Sequence, residues 1–109
     1  VDQCQQNTVC HIYEYILNQG AVNPIVTFQP GRGAMGLYVD ATHLYYTRGD
    51  SNGRNGGVAR ISLAPNSNEE TLETVSGSIA LKGVAAVDNF VFWAENRNSE
   101  SLIRMVRIP

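Results

Sequence analysis

The chain has 109 residues, 8 Lys and Arg against 10 Asp and Glu, and a net charge of -2, the size of one small domain or of a piece of a larger one. A 43% apolar content with only 17% charge excludes a disordered tail, and one Lys among dispersed Arg excludes the basic stripe that nucleic acid requires. The longest apolar runs, 83–87 and 90–94, fall far short of the roughly 20 residues that cross a bilayer as a helix, so no membrane insertion is expected.

Val, Ile, Thr and aromatic residues, broken at short intervals by Gly, Asn, Pro and Ser, predict short strands joined by turns. The first strand is expected at 10–16. Cys4 and Cys10 flank a loop, Gln-Gln-Asn-Thr-Val, that is short enough to fold back and bring two sulfurs within bridging distance. An even cysteine count in a β-rich chain points to a local Cys4–Cys10 disulfide and an oxidising compartment, extracellular or periplasmic; two free buried thiols are the other reading. Cys10-His11 resembles the end of a haem-attachment signature at the wrong spacing, and zinc wants four ligands where the other His is His43. Neither haem nor a metal ligand set is expected.

The second strand, 25–28, leads past Pro30 and a plain turn at 31–33 to the third, 37–40, and the fourth, 43–47. Tyr45 and Tyr46 occupy consecutive positions of the fourth strand, so both of its faces must be covered. Arg48-Gly49-Asp50-Ser51 then sits at the tip of the polar loop joining Thr47 to Val58. An exposed Arg-Gly-Asp resembles the tripeptide that integrins bind, which makes Arg48 and Asp50 candidate binding residues, while Gly49, Asp50, Gly53 and Gly57 read as plain turn formers.

The fifth strand is expected at 58–63 and the sixth at 72–75, with a helix over 67–75 as the alternative because Ser67 and Glu70 have capping-box spacing. The last three strands are expected at 84–87, 90–94 and 102–108. Phe92 and Trp93 repeat the consecutive aromatics of Tyr45 and Tyr46. These four rings read as packing between neighbouring sheets.

The chain is self-similar. Gly36-Leu-Tyr-Val-Asp40 before His43-Leu-Tyr-Tyr-Thr47 returns as Gly83-Val-Ala-Ala-Val-Asp88 before Phe90-Val-Phe-Trp-Ala94. Gly36 and Gly83 lie 47 residues apart, while Arg60 and Arg104, like Pro65 and Pro109, lie 44 apart. A period near 45 residues holding four short strands is the signature of a β-propeller blade. The expected fold is therefore all-β, a propeller segment of about two and a half four-stranded antiparallel blades. Residues 1–35 would bring the outer strands of one blade, 36–82 a complete blade, and 83–109 the inner strands of the next. An unrelated small β-sandwich is the competing architecture.

The units resemble the YWTD and NHL type of propeller, in which a Gly-led strand ending in Val-Asp precedes an aromatic strand and an Ile-x-Arg strand. The naming tetrapeptide stands here as Tyr45-Tyr46-Thr47-Arg48 and Phe92-Trp93-Ala94-Glu95, with its final Asp replaced in both copies. The resemblance implies a binding scaffold. Its partners would be the remaining blades of the same propeller, or other subunits completing the ring, together with a protein, peptide or glycan ligand.

Asp40 and Asp88 end the innermost strands, where propellers gather groups around the channel, so they are candidate ligands for Ca2+ or a bound molecule; each also reads as a turn residue. No nucleophile elbow, phosphate loop or metalloprotease motif is present, so no catalytic residue is assigned. The expected function is a non-catalytic extracytoplasmic interaction scaffold. The alternatives are a propeller lyase or hydrolase with a divalent ion at the central channel, and a purely structural assembly module.

Overall fold

The computed structural model describes residues 9–16, 20–29, 32–50, 56–75, 80–97 and 99–109. The described residues form nine strands and no helix: β1 (His11–Ile16), β2 (Ala21–Thr27), β3 (Arg32–Val39), β4 (His43–Asp50), β5 (Gly56–Ser62), β6 (Glu69–Val75), β7 (Ala80–Val87), β8 (Phe90–Arg97) and β9 (Glu100–Arg107). Branched and aromatic side chains are stiff near the backbone and pack well on a pleated surface, which drives this outcome. The helix alternative at 67–75 is overturned by β6. Arg60 Nε donates to the Glu70 carboxylate at 2.7 Å across the β5–β6 pair, and the Ser67 hydroxyl donates to the Ala64 carbonyl at 2.7 Å, closing the preceding turn.

The strands lie in three antiparallel sheets ordered β1-β2, β3-β4-β5-β6 and β7-β8-β9. Among the described residues these sheets close neither a barrel nor a propeller ring. Within each sheet, strands that lie side by side are consecutive in the sequence. Several strands outrun their expected ends. β3 starts at Arg32 because Gly33 pairs with Gly49 and the ladder continues through a bulge between Ala34 and Gly36. β2 contains Pro24, which lacks a ladder donor and sits next to a bulge in the β1 pairing, the setting in which a strand tolerates proline.

Two separate cores result. Ile12, Val26 and Phe28 from the first sheet pack with Leu44, Tyr46, Ala59 and Ile61 of the second. Tyr45, Val58 and Val75, on the opposite face of the second sheet, pack with Leu81, Val91 and Trp93 of the third. Period-two alternation along β4 and β5 sends neighbouring side chains to opposite faces, so the middle sheet is buried on both.

The second and third sheets come into close backbone contact at Gly36. A Cβ there would lie 2.6 Å from the Lys82 carbonyl oxygen and 2.9 Å from the Gly83 Cα, so only glycine lets β3 and β7 cross. The fully buried Thr47 hydroxyl donates to the same Lys82 carbonyl at 2.7 Å. At the other end of the chain the Phe28 N–H donates to the Cys10 carbonyl at 2.9 Å, extending the β1–β2 pair. Cys4, and with it the expected Cys4–Cys10 pairing, lies outside the described residues.

Candidate functional site

The turns that follow β3 and β7 carry the two acids singled out in the sequence. Asp40 Oδ1 accepts the Thr42 and His43 N–H groups at 2.8 Å each and the Thr42 hydroxyl at 3.2 Å. The Thr42 N–H bond is the leading cause that holds the Asp40 carboxyl below the ordinary carboxylate range. Thr42 Oγ1 also lies 2.8 Å from His43 Nδ1, so Asp40, Thr42 and His43 form one hydrogen-bonded turn. Thr42 and His43 were not flagged by sequence reasoning; Asp followed closely by Thr is the signal that could have found them. Asp88 has φ 54°, the left-handed conformation that Asp tolerates better than most residues. Asp40 thus shapes its turn through its carboxylate, and Asp88 takes part in its turn through its backbone. Among the described residues no group of three or more His, Cys, Asp or Glu could hold a metal ion.

The Arg-Gly-Asp segment is not at a loop tip, where the sequence places it. β4 runs through Asp50, with Arg48 paired to Ala34 and Gly57 and Asp50 paired to Arg32. The Arg48 side chain reaches β6, donating from Nη2 to Thr71 Oγ1 at 2.9 Å and lying 3.5 Å from Glu69 Oε1. Gly49 is buried. The pairing of two glycines, Gly33 with Gly49, extends the ladder into what local composition marks as a turn.

Two carboxylates, Glu69 and Glu95, organise the polar parts of the cores. The Tyr46 hydroxyl donates to Glu69, and burial first, then this acceptor, push the phenol far above its ordinary range. Burial likewise raises the Tyr45 phenol, with the Arg60 guanidinium opposing the shift and Asp40 adding to it. In the third sheet Glu95 has a fully buried carboxylate, which accepts the Trp93 indole N–H at 2.9 Å and pairs with Arg97 at 3.2 Å and Arg104 at 3.6 Å. The Arg104 guanidinium also lies 5.7 Å from the Trp93 ring centroid. Sequence reasoning missed Glu69 and Glu95. Glu95 stands two residues after Trp93, and strand alternation puts the pair on one face.

Arg60 and Arg104, matched by their spacing in the sequence, take non-equivalent places on the sheets. Arg60 pairs with Tyr45, whereas Arg104 pairs with Trp93, the counterpart of Tyr46. The two arginines therefore face opposite ways. Arg60 points with Tyr45 toward the third sheet, and Arg104 points with Trp93 back toward the second.

Between the first sheet and β3 lies an open cavity of about 320 Å³, lined by Ile12, Tyr13, Ile25, Leu37, Val39 and Leu63. Leu37 is 52% and Val39 58% exposed there. This volume is at the small end of ligand cavities, and its walls are mostly apolar, with Glu14 and Tyr38 also among the lining residues. Every buried polar side-chain atom among the described residues has a partner, so the polar networks are used up in holding sheets together. Compared with family models, curated proteins and solved structures, the chain matches none of them.

Proposed function

We propose that this chain is a segment of a β-propeller that acts as a non-catalytic extracytoplasmic scaffold, engaging a protein, peptide or glycan through its loops or channel mouth. One observation carries the reading: a four-stranded antiparallel meander is buried on both faces, with Tyr45 turned to one neighbouring sheet and Tyr46 to the other. A two-layer sandwich buries one face of each sheet, whereas successive blades bury both. The YWTD- and NHL-like motifs support the same reading, and an even cysteine pair supports an oxidising compartment with Cys4 bonded to Cys10.

On this reading the partners are further blades of the same propeller, or subunits that complete the ring. A fold does not choose a ligand, so the non-catalytic part rests on the side chains: the Asp40 carboxylate is spent on its turn, and the buried Glu95 carboxylate on pairing. A crystal structure of the assembled protein tests the architecture. Sheets disposed around a common axis are expected; aromatic rings gathered into one interior closed by a single chain would refute it. A calcium titration tests the rest, with no change in melting temperature expected. A stabilisation by calcium that Asp40→Asn and Asp88→Asn abolish would point instead to an ion at the channel.

A further inference from the structure

The second and third sheets share one plan, and the contact between them shows what the outward face of such a sheet accepts. Leu37 pairs with Tyr46 as Val84 pairs with Trp93. That register makes Gly83 the counterpart of Gly36, Phe92 of Tyr45, and Met105 of Arg60. On the second sheet this face is covered: a Cβ at Gly36 would lie 2.6 Å from the β7 backbone, and Tyr45 is 3% exposed.

On the third sheet the corresponding face is bare. A Cβ at Gly83 meets nothing within 4 Å, Met105 is 59% exposed, and Ile103 is 74% exposed. Ala85, Phe92 and Met105 lie in one cross-strand row, with Ala94 and Ile103 in the next. The charge bordering them is Arg107, whose guanidinium lies 5.5 Å from the Phe90 ring centroid. Gly83 lies in the bulge between Leu81 and Val84 with the Gly36 backbone against its Cα on one side, while the direction its own Cβ would take is open.

We infer that this face is a docking surface for a further antiparallel sheet of the same repeat, whose Gly-led first strand crosses β7 at Gly83 as β7 crosses β3 at Gly36. The occupant is identified by the sheet already seated one period earlier on the equivalent face. The inference rests on the stacked-sheet part of the propeller reading and needs neither ring closure nor a ligand. A chain that binds nothing can still dock the sheet, and a failed docking leaves the ligand question standing.

The repeat supplies the probe. A chain extended after Pro109 by a second copy of residues 66–109 continues the sequence at its own spacing and offers one more sheet to the third. Gly83→Val, Met105→Gln and the pair Ile103→Glu with Met105→Glu are made in the 109-residue chain and in the extended chain, and thermal unfolding is followed in each. The extension is expected to raise the melting midpoint. Each substitution is expected to lower the midpoint by at least about 4 °C more in the extended chain than in the original. An extended Gly83→Val chain that no longer folds, beside an original that does, is the same result in stronger form.

Equal effects in both chains, or no gain from the extension, would overturn the inference. So would sedimentation showing the original chain to be a dimer that Gly83→Val dissociates, since a second copy would then own the face.

Discussion

Tyr45 and Tyr46 are neighbours in the chain and belong to different cores. Tyr46, with no exposed surface, meets Phe28 edge-on at 5.8 Å and 89°; Tyr45, on the reverse side of β4, packs with Val91 and Trp93. A single strand thereby ties three sheets together, and removal of either ring opens one interface while sparing the other.

Tyr45→Leu and Tyr46→Leu are each expected to cost about 2 kcal/mol, within the ordinary range for altered core residues. Their effects should add to within about 0.5 kcal/mol although the residues are adjacent, because the side chains share no packing partner. Urea denaturation of the two single variants and the double variant measures this, and a coupling well above that value would mean that the two cores are one.

Gly36 and Gly83 should respond to alanine with opposite signs. Gly36→Ala drives a methyl into the Lys82 carbonyl and is expected to cost about 1 to 3 kcal/mol by overpacking. Gly83→Ala adds a methyl to open space and is expected to stabilise the 109-residue chain by roughly 0.5 to 1 kcal/mol, the ordinary strand penalty of glycine. Equilibrium unfolding of both variants provides the check.

Alkali should unfold the protein through Tyr46. Its phenol is raised in the folded state above the ordinary value of 10.0, chiefly by burial and then by its bond to Glu69, so the neutral form is the one the fold holds. A raised folded value contributes stability that is complete below the unfolded value and is lost as pH climbs through and above it. Unfolding free energy is therefore expected to hold steady up to about pH 9 and to fall beyond about pH 10. Tyr46→Phe should reduce that slope, and Tyr45, raised in the same direction, should keep part of it.

Glu95 separates hydrogen bonding from charge. Glu95→Gln keeps an acceptor for the Trp93 indole, and Arg97 and Arg104, each 42% exposed, regain water, so a loss of about 1 kcal/mol is expected. Glu95→Ala leaves the buried indole N–H without its partner and a void beside it, and should cost about 2 to 3 kcal/mol. Thermal unfolding near neutral pH distinguishes the two, and equal losses would show that the ion pairs carry the site.

Much of the strand pattern was legible in the residues, because it is set locally. Branched and aromatic runs between Gly, Asn and Pro mark where strands begin and turn, and the paired rings of Tyr45-Tyr46 demand that both faces of β4 be covered. The ends of the strands were less legible. β3 and β4 are prolonged by the pairing of Gly33 with Gly49, and no local preference foretells that two glycines will meet. For the same reason Arg48-Gly49-Asp50 reads as a loop and is ladder.

The candidate acids behave likewise. Asp40 as a turn former follows from its own neighbours, since its hydrogen bonds run to Thr42 and His43. Glu69 and Glu95 take their roles from Tyr46, Trp93 and Arg104, and the register between strands, which shifts at bulges, decides those meetings.

By itself, then, the order of residues determined that the chain is all-β and roughly where its strands fall, because torsional preference and period-two alternation act within a few positions. Tertiary structure decided which face of each sheet meets a neighbour, that Arg60 and Arg104 point opposite ways, and that Gly36 is crossed by a strand while Gly83 stays open. Those outcomes depend on backbone approaches between residues far apart in the chain, and such approaches have no local signature.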